Sequence, residues 1–218
     1  MLEYHRTGAR ADGATVVVLL HGRGADAADM LQLGAALPAD YALVAPRAPF
    51  DAAPWGYGPG RAWYRYLGED RPEPESFEDS QTQLTAFLDA LPAELDFVPG
   101  GVVLGGFSQG GTMSLGQALR RPGALPAVIN FSGFLPDHPS VNADAASVHG
   151  TRFFWGHGTR DPNIPFELGE RGRAALRQAG ADLTTWDGRI GHWIDPEELS
   201  QALSWSREAA AGRAAERS

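Results

Sequence analysis

The sequence predicts an α/β fold, with a mostly parallel central sheet and helices on both faces, built as a single domain over residues 1–218. Three observations carry this. Short, continuous apolar runs at 16–20 and 102–104 have the pattern of strands buried on both faces, not of half-exposed alternating ones. Strand-like runs alternate with stretches whose apolar residues recur at helical spacing, which is the rhythm of βαβ units. The 218 residues suffice for one such domain with a large core and are too few for two comfortable ones.

Taken in order, residues 1–7 give a short first strand. The run 16–20 gives a central strand before the loop His21-Gly22-Arg23-Gly24. Asp26 or Asp29 then caps a helix reaching about Leu37, with Pro38 just beyond its end. Residues 41–45 form the next strand, stopped by Pro46. The stretch 46–74 lacks periodicity and is rich in Pro, Gly and aromatic residues, with Trp55, Tyr57, Trp63, Tyr64 and Tyr66 inside it. A loop of that length within a compact domain is usually functional. Its aromatics favour order, with a hairpin around 61–67. Two readings stay open: a rim over an apolar substrate pocket, or a satellite core under the loop.

Glu75 or Ser76 starts a helix whose stripe is Phe77, Leu84, Phe87, Leu88 and Leu91, with Pro92 in its end region. The strand at 102–104 follows, stopped by Gly105 and Gly106, and a helix begins after Ser108 and closes near Arg121-Pro122-Gly123. The rest reads as a strand at 127–131, a loop at 132–150, a strand at 152–155, a helix at 166–179 closed by Gly180, and a strand at 181–186. Asp195 caps a last helix with Pro196 at its first position, running to about Arg207. The tail 208–218 is helix-prone but has only alanines for an apolar face, so fraying is expected.

Composition narrows the function. The net charge of −9 disfavours nucleic acid and anionic membrane surfaces as partners. All 18 basic residues are Arg, and the absence of Cys excludes disulfides, a cysteine nucleophile and thiolate metal sites. The first seven residues lack a basic region followed by an apolar one, and the apolar run at 14–20 is too short to span a bilayer. The expectation is a cytoplasmic protein with no stable membrane insertion. Self-association is not readable from these features.

The chemistry centres on Gly106-Phe107-Ser108-Gln109-Gly110, a G-x-S-x-G string between a strand and a helix. That setting is what a nucleophile elbow requires: a sharp turn holds the serine hydroxyl out of the sheet, and glycines let strand and helix approach. The amide of Gln109, at a helix N-terminus, faces developing negative charge. A serine hydroxyl needs a base, and the base an orienting carboxylate. In α/β-hydrolases these follow in chain order, each on a loop after a strand. Asp161 and His192 meet both conditions. His138 and His149 precede the strand that should carry the acid, His157 precedes Asp161, and His5 and His21 precede the nucleophile. Asp137, Asp144 and Asp187 read as solvated loop residues. His157 and His21 read as structural residues within their loops. A metal site from His157, Asp161 and His192 lacks a compact ligand motif. The loop after the first long strand offers a second oxyanion donor, the amide of Arg23, with Gly22 and Gly24 as neighbouring choices; the other reading is that its glycines only make a tight turn.

These residues resemble the phospholipase/carboxylesterase family of small serine esterases, which includes the acyl-protein thioesterases. The matching pieces are Leu20-His21-Gly22-Arg23-Gly24, Arg61-Ala62-Trp63-Tyr64, Gly105-Gly106-Phe107-Ser108-Gln109-Gly110-Gly111, Phe131-Ser132-Gly133-Phe134-Leu135-Pro136, Gly156-His157-Gly158 with Asp161-Pro162, and Gly191-His192. The resemblance implies an α/β-hydrolase fold without a large lid domain, a Ser108, Asp161 and His192 triad, and an oxyanion hole from the amides of Arg23 and Gln109. It also implies hydrolysis of carboxylic esters, or of thioesters or lysophospholipids, without a cofactor or metal. Trp63 and Tyr64 would lie near the acyl-binding rim. Two positions depart from the thioesterase pattern: Arg23 stands where Leu is common, and the bulky Trp193 follows His192. Both favour a small-molecule ester of short or medium chain over a long-chain or protein-bound acyl group. A hydrolase-fold binding module without turnover is the alternative of another class.

Overall fold

The computed structural model describes residues 1–216, with side chains through Ala209. In chain order the elements are β1 (Tyr4–Gly8), β2 (Thr15–Leu20), α1 (Ala27–Met30), β3 (Tyr41–Pro46), β4 (Phe50–Asp51), β5 (Arg61–Ala62), α2 (Pro74–Glu94), β6 (Gly101–Phe107), α3 (Gln109–Arg120), β7 (Ala127–Phe131), β8 (Arg152–Gly158), α4 (Phe166–Gln178), β9 (Asp182–Gly188) and α5 (Pro196–Glu216). Seven strands form one sheet in the order β1-β3-β2-β6-β7-β8-β9. Only the edge strand β1 runs antiparallel to its neighbour, and the other pairings are parallel. This is the mostly parallel α/β sheet expected, and the fold is that of the α/β-hydrolases.

The apolar runs divide between two layers as a pleated strand requires. Val16, Val18 and Leu20 of β2 join one core with Phe77, Leu84, Phe87 and Leu91 of α2, Met113 and Leu115 of α3, and Leu168 and Leu176 of α4. Val17 and Leu19 join the opposite core with Met30 of α1 and Leu199, Leu203 and Trp205 of α5. Helices therefore cover both faces. The parallel strands all point their C-terminal ends to one edge, which is where sites lie in open α/β sheets.

Several boundaries differ from the sequence expectation. β6 does not stop at Gly105 but continues through Gly106 to Phe107, because both neighbours hold it in register: Leu20 and Asn130 flank Gly106. β8 and β9 likewise extend to Gly158 and Gly188. Asp26 caps α1 reciprocally with Asp29, but the α form lasts only to Met30 and continues as a 3-10 turn over Leu31–Ala36. Gly34, a poor helix former, lies in that turn close against the Thr7 side chain. The hairpin expected at 61–67 is instead the pairing of β4 with β5, Phe50 opposite Ala62. The last helix, expected to reach about Arg207, continues through the helix-prone tail to Glu216, and residues 217 and 218 lie outside the described residues.

Candidate active site

Ser108 sits between β6 and α3 with φ 55° and ψ −117°, a conformation a side chain adopts only under constraint. Three things impose it. The Ser108 amide donates to the Phe131 carbonyl of β7 at 2.8 Å, and the Ser108 carbonyl accepts from the Thr112 amide at 3.0 Å. A Cβ at Gly106 would run into the Gly110 backbone, and one at Gly110 into the Leu20 carbonyl, so only glycine lets β6, α3 and β2 meet here. The hydroxyl is thereby raised at the C-terminal edge of the sheet.

The loops after β8 and β9 bring Asp161 and His192 to the same edge. His192 Nε2 lies 2.9 Å from Ser108 Oγ, and His192 Nδ1 lies 2.6 Å from Asp161 Oδ2. The Asp161 side chain has no solvent exposure. Its Oδ1 accepts the amides of Asn163 (2.8 Å) and Ile164 (2.9 Å). Burial alone would push the Asp161 carboxyl up. The hydrogen bond from His192 and the amide of Ile164 outweigh it and hold the group below the usual carboxylate range. A carboxylate only accepts, so Nδ1 carries the imidazole proton and Nε2 faces Ser108 as an acceptor. The Phe107 ring packs against the imidazole at 4.7 Å between centroids.

The other histidines of the region are structural, in line with their sequence reading. His157 is buried and its Nε2 donates to the Ile164 carbonyl at 3.0 Å, bracing the loop that presents Asp161. Burial keeps its pKa below the ordinary value. His21 is equally buried: its Nδ1 donates to the Gly22 carbonyl at 2.7 Å and its Nε2 accepts the Ala48 amide at 3.1 Å. Among the described residues, no group of three or more His, Asp or Glu side chains converges as a metal site.

Ser108 and His192 open onto a cavity of about 500 Å³. Arg23, Asp29 and Gln32 contribute polar groups to its wall, and Tyr64, Tyr66, Phe107, Phe134 and Ile164 contribute apolar ones. Arg23 and Gln109 border it, as Ser108 does. Gln109 is the first residue of α3, so its amide has no intrahelical acceptor. The Gly24 amide is engaged with the Arg61 carbonyl at 2.8 Å, which removes Gly24 from the choice of oxyanion donors.

Of the two rim residues expected, Tyr64 borders the cavity and Trp63 does not. Trp63 is fully buried: its indole N–H donates to the His21 carbonyl at 2.9 Å, and its ring packs on the His21 imidazole. The aromatic loop is thus partly a satellite core and partly a wall. Trp193 projects into solvent, 53% exposed, and does not line the cavity. Sequence reasoning missed the Gln109 side chain, whose Oε1 accepts the Trp63 amide at 3.0 Å and whose Nε2 donates to the Tyr64 carbonyl at 2.7 Å. Tyr57 and Tyr66, which the sequence places in the aromatic stretch, flank the Arg23 guanidinium with their rings, a contact the sequence does not foretell. Periodicity carries no signal for such contacts.

Comparison with known proteins agrees with the geometry. Residues 7–207 match the phospholipase/carboxylesterase family. A probable carboxylesterase of Arabidopsis thaliana is 34% identical over 113 residues, covering 50% of this chain and 43% of that protein, so the match spans less than half of the plant relative. An acyl-protein thioesterase 1 of Cryptococcus neoformans is 28% identical over 88% of this chain and 91% of its own length. The crystal structure of the esterase PE8 superposes with a TM-score of 0.79 at 30% identity, covering 95% of this chain and 99% of that one. The chain belongs to the phospholipase/carboxylesterase family.

Proposed function

We propose that the protein is a serine carboxylesterase that hydrolyses short- to medium-chain esters of small molecules through an acyl-enzyme. The observation that carries this is the continuous hydrogen-bonded series from Ser108 Oγ through His192 to Asp161, opening onto a partly apolar cavity. Ser108 Oγ attacks the ester carbonyl carbon while His192 Nε2 takes its proton. The amides of Arg23 and Gln109 donate to the oxyanion of the tetrahedral intermediate. The C–O bond breaks, and His192 returns the proton to the departing alcohol. Water then attacks the acyl-Ser108 ester with His192 again as base, releasing the acid and restoring the serine. Asp161 fixes the imidazole tautomer and stabilises the imidazolium.

The cavity volume lies within the range of small-ligand sites. Its wall mixes aromatic and aliphatic groups with a cation at one side, which suits a modest acyl group better than a long one. A second reading, thioester hydrolysis with the same residues, is favoured by the near full-length likeness to a protein named acyl-protein thioesterase 1. Initial rates on p-nitrophenyl esters of increasing acyl length, beside acyl-CoA thioesters of the same lengths, separate the two. The proposal expects ester turnover with an optimum at short or medium length. Preference for long-chain thioesters would contradict it.

A further inference from the structure

The Arg23 guanidinium is held in place without being neutralised. Its Cζ lies 5.0 Å from the Tyr57 ring centroid and 5.7 Å from that of Tyr66. Those two tyrosines are tied to each other, because the Tyr66 amide donates to Tyr57 Oη at 2.7 Å. Tyr66 Oη in turn donates to the Glu69 carbonyl at 2.7 Å. The backbone under Arg23 is equally fixed. Gly24 has φ 75°, and a Cβ there would run into the Tyr57 carbonyl. Ala25 is bridged to Arg61.

Ring faces stabilise a guanidinium through its plane and leave its in-plane N–H donors available. Among the described residues, no carboxylate lies within ion-pair distance of Arg23 and no acceptor takes its side-chain donors. Arg47, Arg61, Arg120 and Arg173, by contrast, each pair with a carboxylate. Asp29, the acid on the same wall, has one oxygen on the Asp26 amide. A preorganised planar cation with unused donors, on the wall of the cavity onto which Ser108 opens, fits a planar anion.

We infer that the Arg23 side chain is a specificity determinant that favours ester substrates carrying a carboxylate. The inference rests on the esterase reading above and names a substrate class for it. The chain's net charge of −9 supplies no long-range attraction for anions, so the selection arises from local contact at Arg23.

The test uses two matched pairs of esters. In one pair the acyl half differs: mono-4-nitrophenyl glutarate against 4-nitrophenyl pentanoate. In the other the alcohol half differs: 4-(carboxymethyl)phenyl butyrate against 4-ethylphenyl butyrate. The ratio of kcat/KM, anionic over neutral, is measured for wild type, Arg23→Gln and Arg23→Lys. A disturbed Arg23 amide would slow both members of a pair together and cancel in the ratio. The expected result is a fall of roughly tenfold in at least one ratio for Arg23→Gln, with a smaller fall for Arg23→Lys. The pair that responds shows which half of the substrate bears the carboxylate. Ratios unchanged in Arg23→Gln would overturn the inference while leaving the esterase reading intact. Failure of wild type to hydrolyse any of the four esters would instead sink the esterase reading, and the inference with it.

Discussion

The side chain of Gln109 clamps the backbone at Trp63, accepting its amide at 3.0 Å while donating to the carbonyl of the next residue, Tyr64, at 2.7 Å. The residue after Ser108 thus offers a main-chain amide with no intrahelical acceptor, while its side chain holds the wall of the cavity. Gln109→Ala would leave two buried backbone groups without partners. A stability loss of about 2 kcal/mol is expected in urea denaturation. KM should rise along with the fall in kcat, because Tyr64 is released. Unchanged stability with unchanged KM would remove the clamp from the account.

Asp161 is held as a carboxylate mainly against its own burial, by His192 and the amides of its loop. Its pKa is depressed in the folded protein. The stability it contributes is therefore present above the ordinary value of 3.8 and is lost as pH falls through the lower folded value. Asp161→Asn should lower kcat by about 10³–10⁴-fold, since the amide no longer fixes the tautomer. Its stability deficit relative to wild type should shrink below about pH 4. Activity and acid-unfolding curves on the two proteins check both statements.

Glu198 lies buried in α5 with its carboxyl against Gly156 of β8. Its Oε2 accepts the Asp195 amide at 3.2 Å, while its Oε1 has no partner. Burial pushes its pKa up to about 8 from an ordinary 4.5. The raised value means that stability from the bound proton is fully present below pH 4.5 and is lost as pH rises through about 8. Glu198→Gln supplies a neutral group at all pH values. It should match wild type near pH 5 and exceed it by roughly 2–4 kcal/mol at pH 9, read from Tm and denaturant midpoints. Parallel pH–stability curves for the two proteins would contradict this.

Gly106 allows β6 and α3 to meet at the elbow. Gly106→Ala places a methyl in the Gly110 backbone, so the strand-to-helix turn must open. Loss of turnover together with several kcal/mol of stability is expected. Recovery of a folded, fully active variant would show that the close approach is dispensable.

Much of this architecture is legible in the sequence because the signals are local. Apolar runs mark buried strands, and Ser108, Asp161 and His192 stand in the order and loop positions that the sheet edge demands. The errors have a common cause. Gly105 and Gly106 read as strand breakers, yet an interior parallel strand is held by ladders on both sides and tolerates them. Trp63 reads as a rim residue, but its neighbour His21 lies 42 positions away in sequence, where pattern carries no information. The buried Glu198 and Arg173 look like surface charges on helices, and only packing reveals them.

The central claim is that Ser108 is a nucleophile activated by His192. Labelling by a fluorophosphonate probe, mapped by peptide mass spectrometry, tests it most directly on wild type, Ser108→Ala and His192→Ala. The account predicts a single adduct at Ser108 in wild type, none in Ser108→Ala, and strongly slowed labelling in His192→Ala, with ester turnover following the same order. An unlabelled wild type, or turnover that survives Ser108→Ala, would contradict it and favour a hydrolase-fold binding protein.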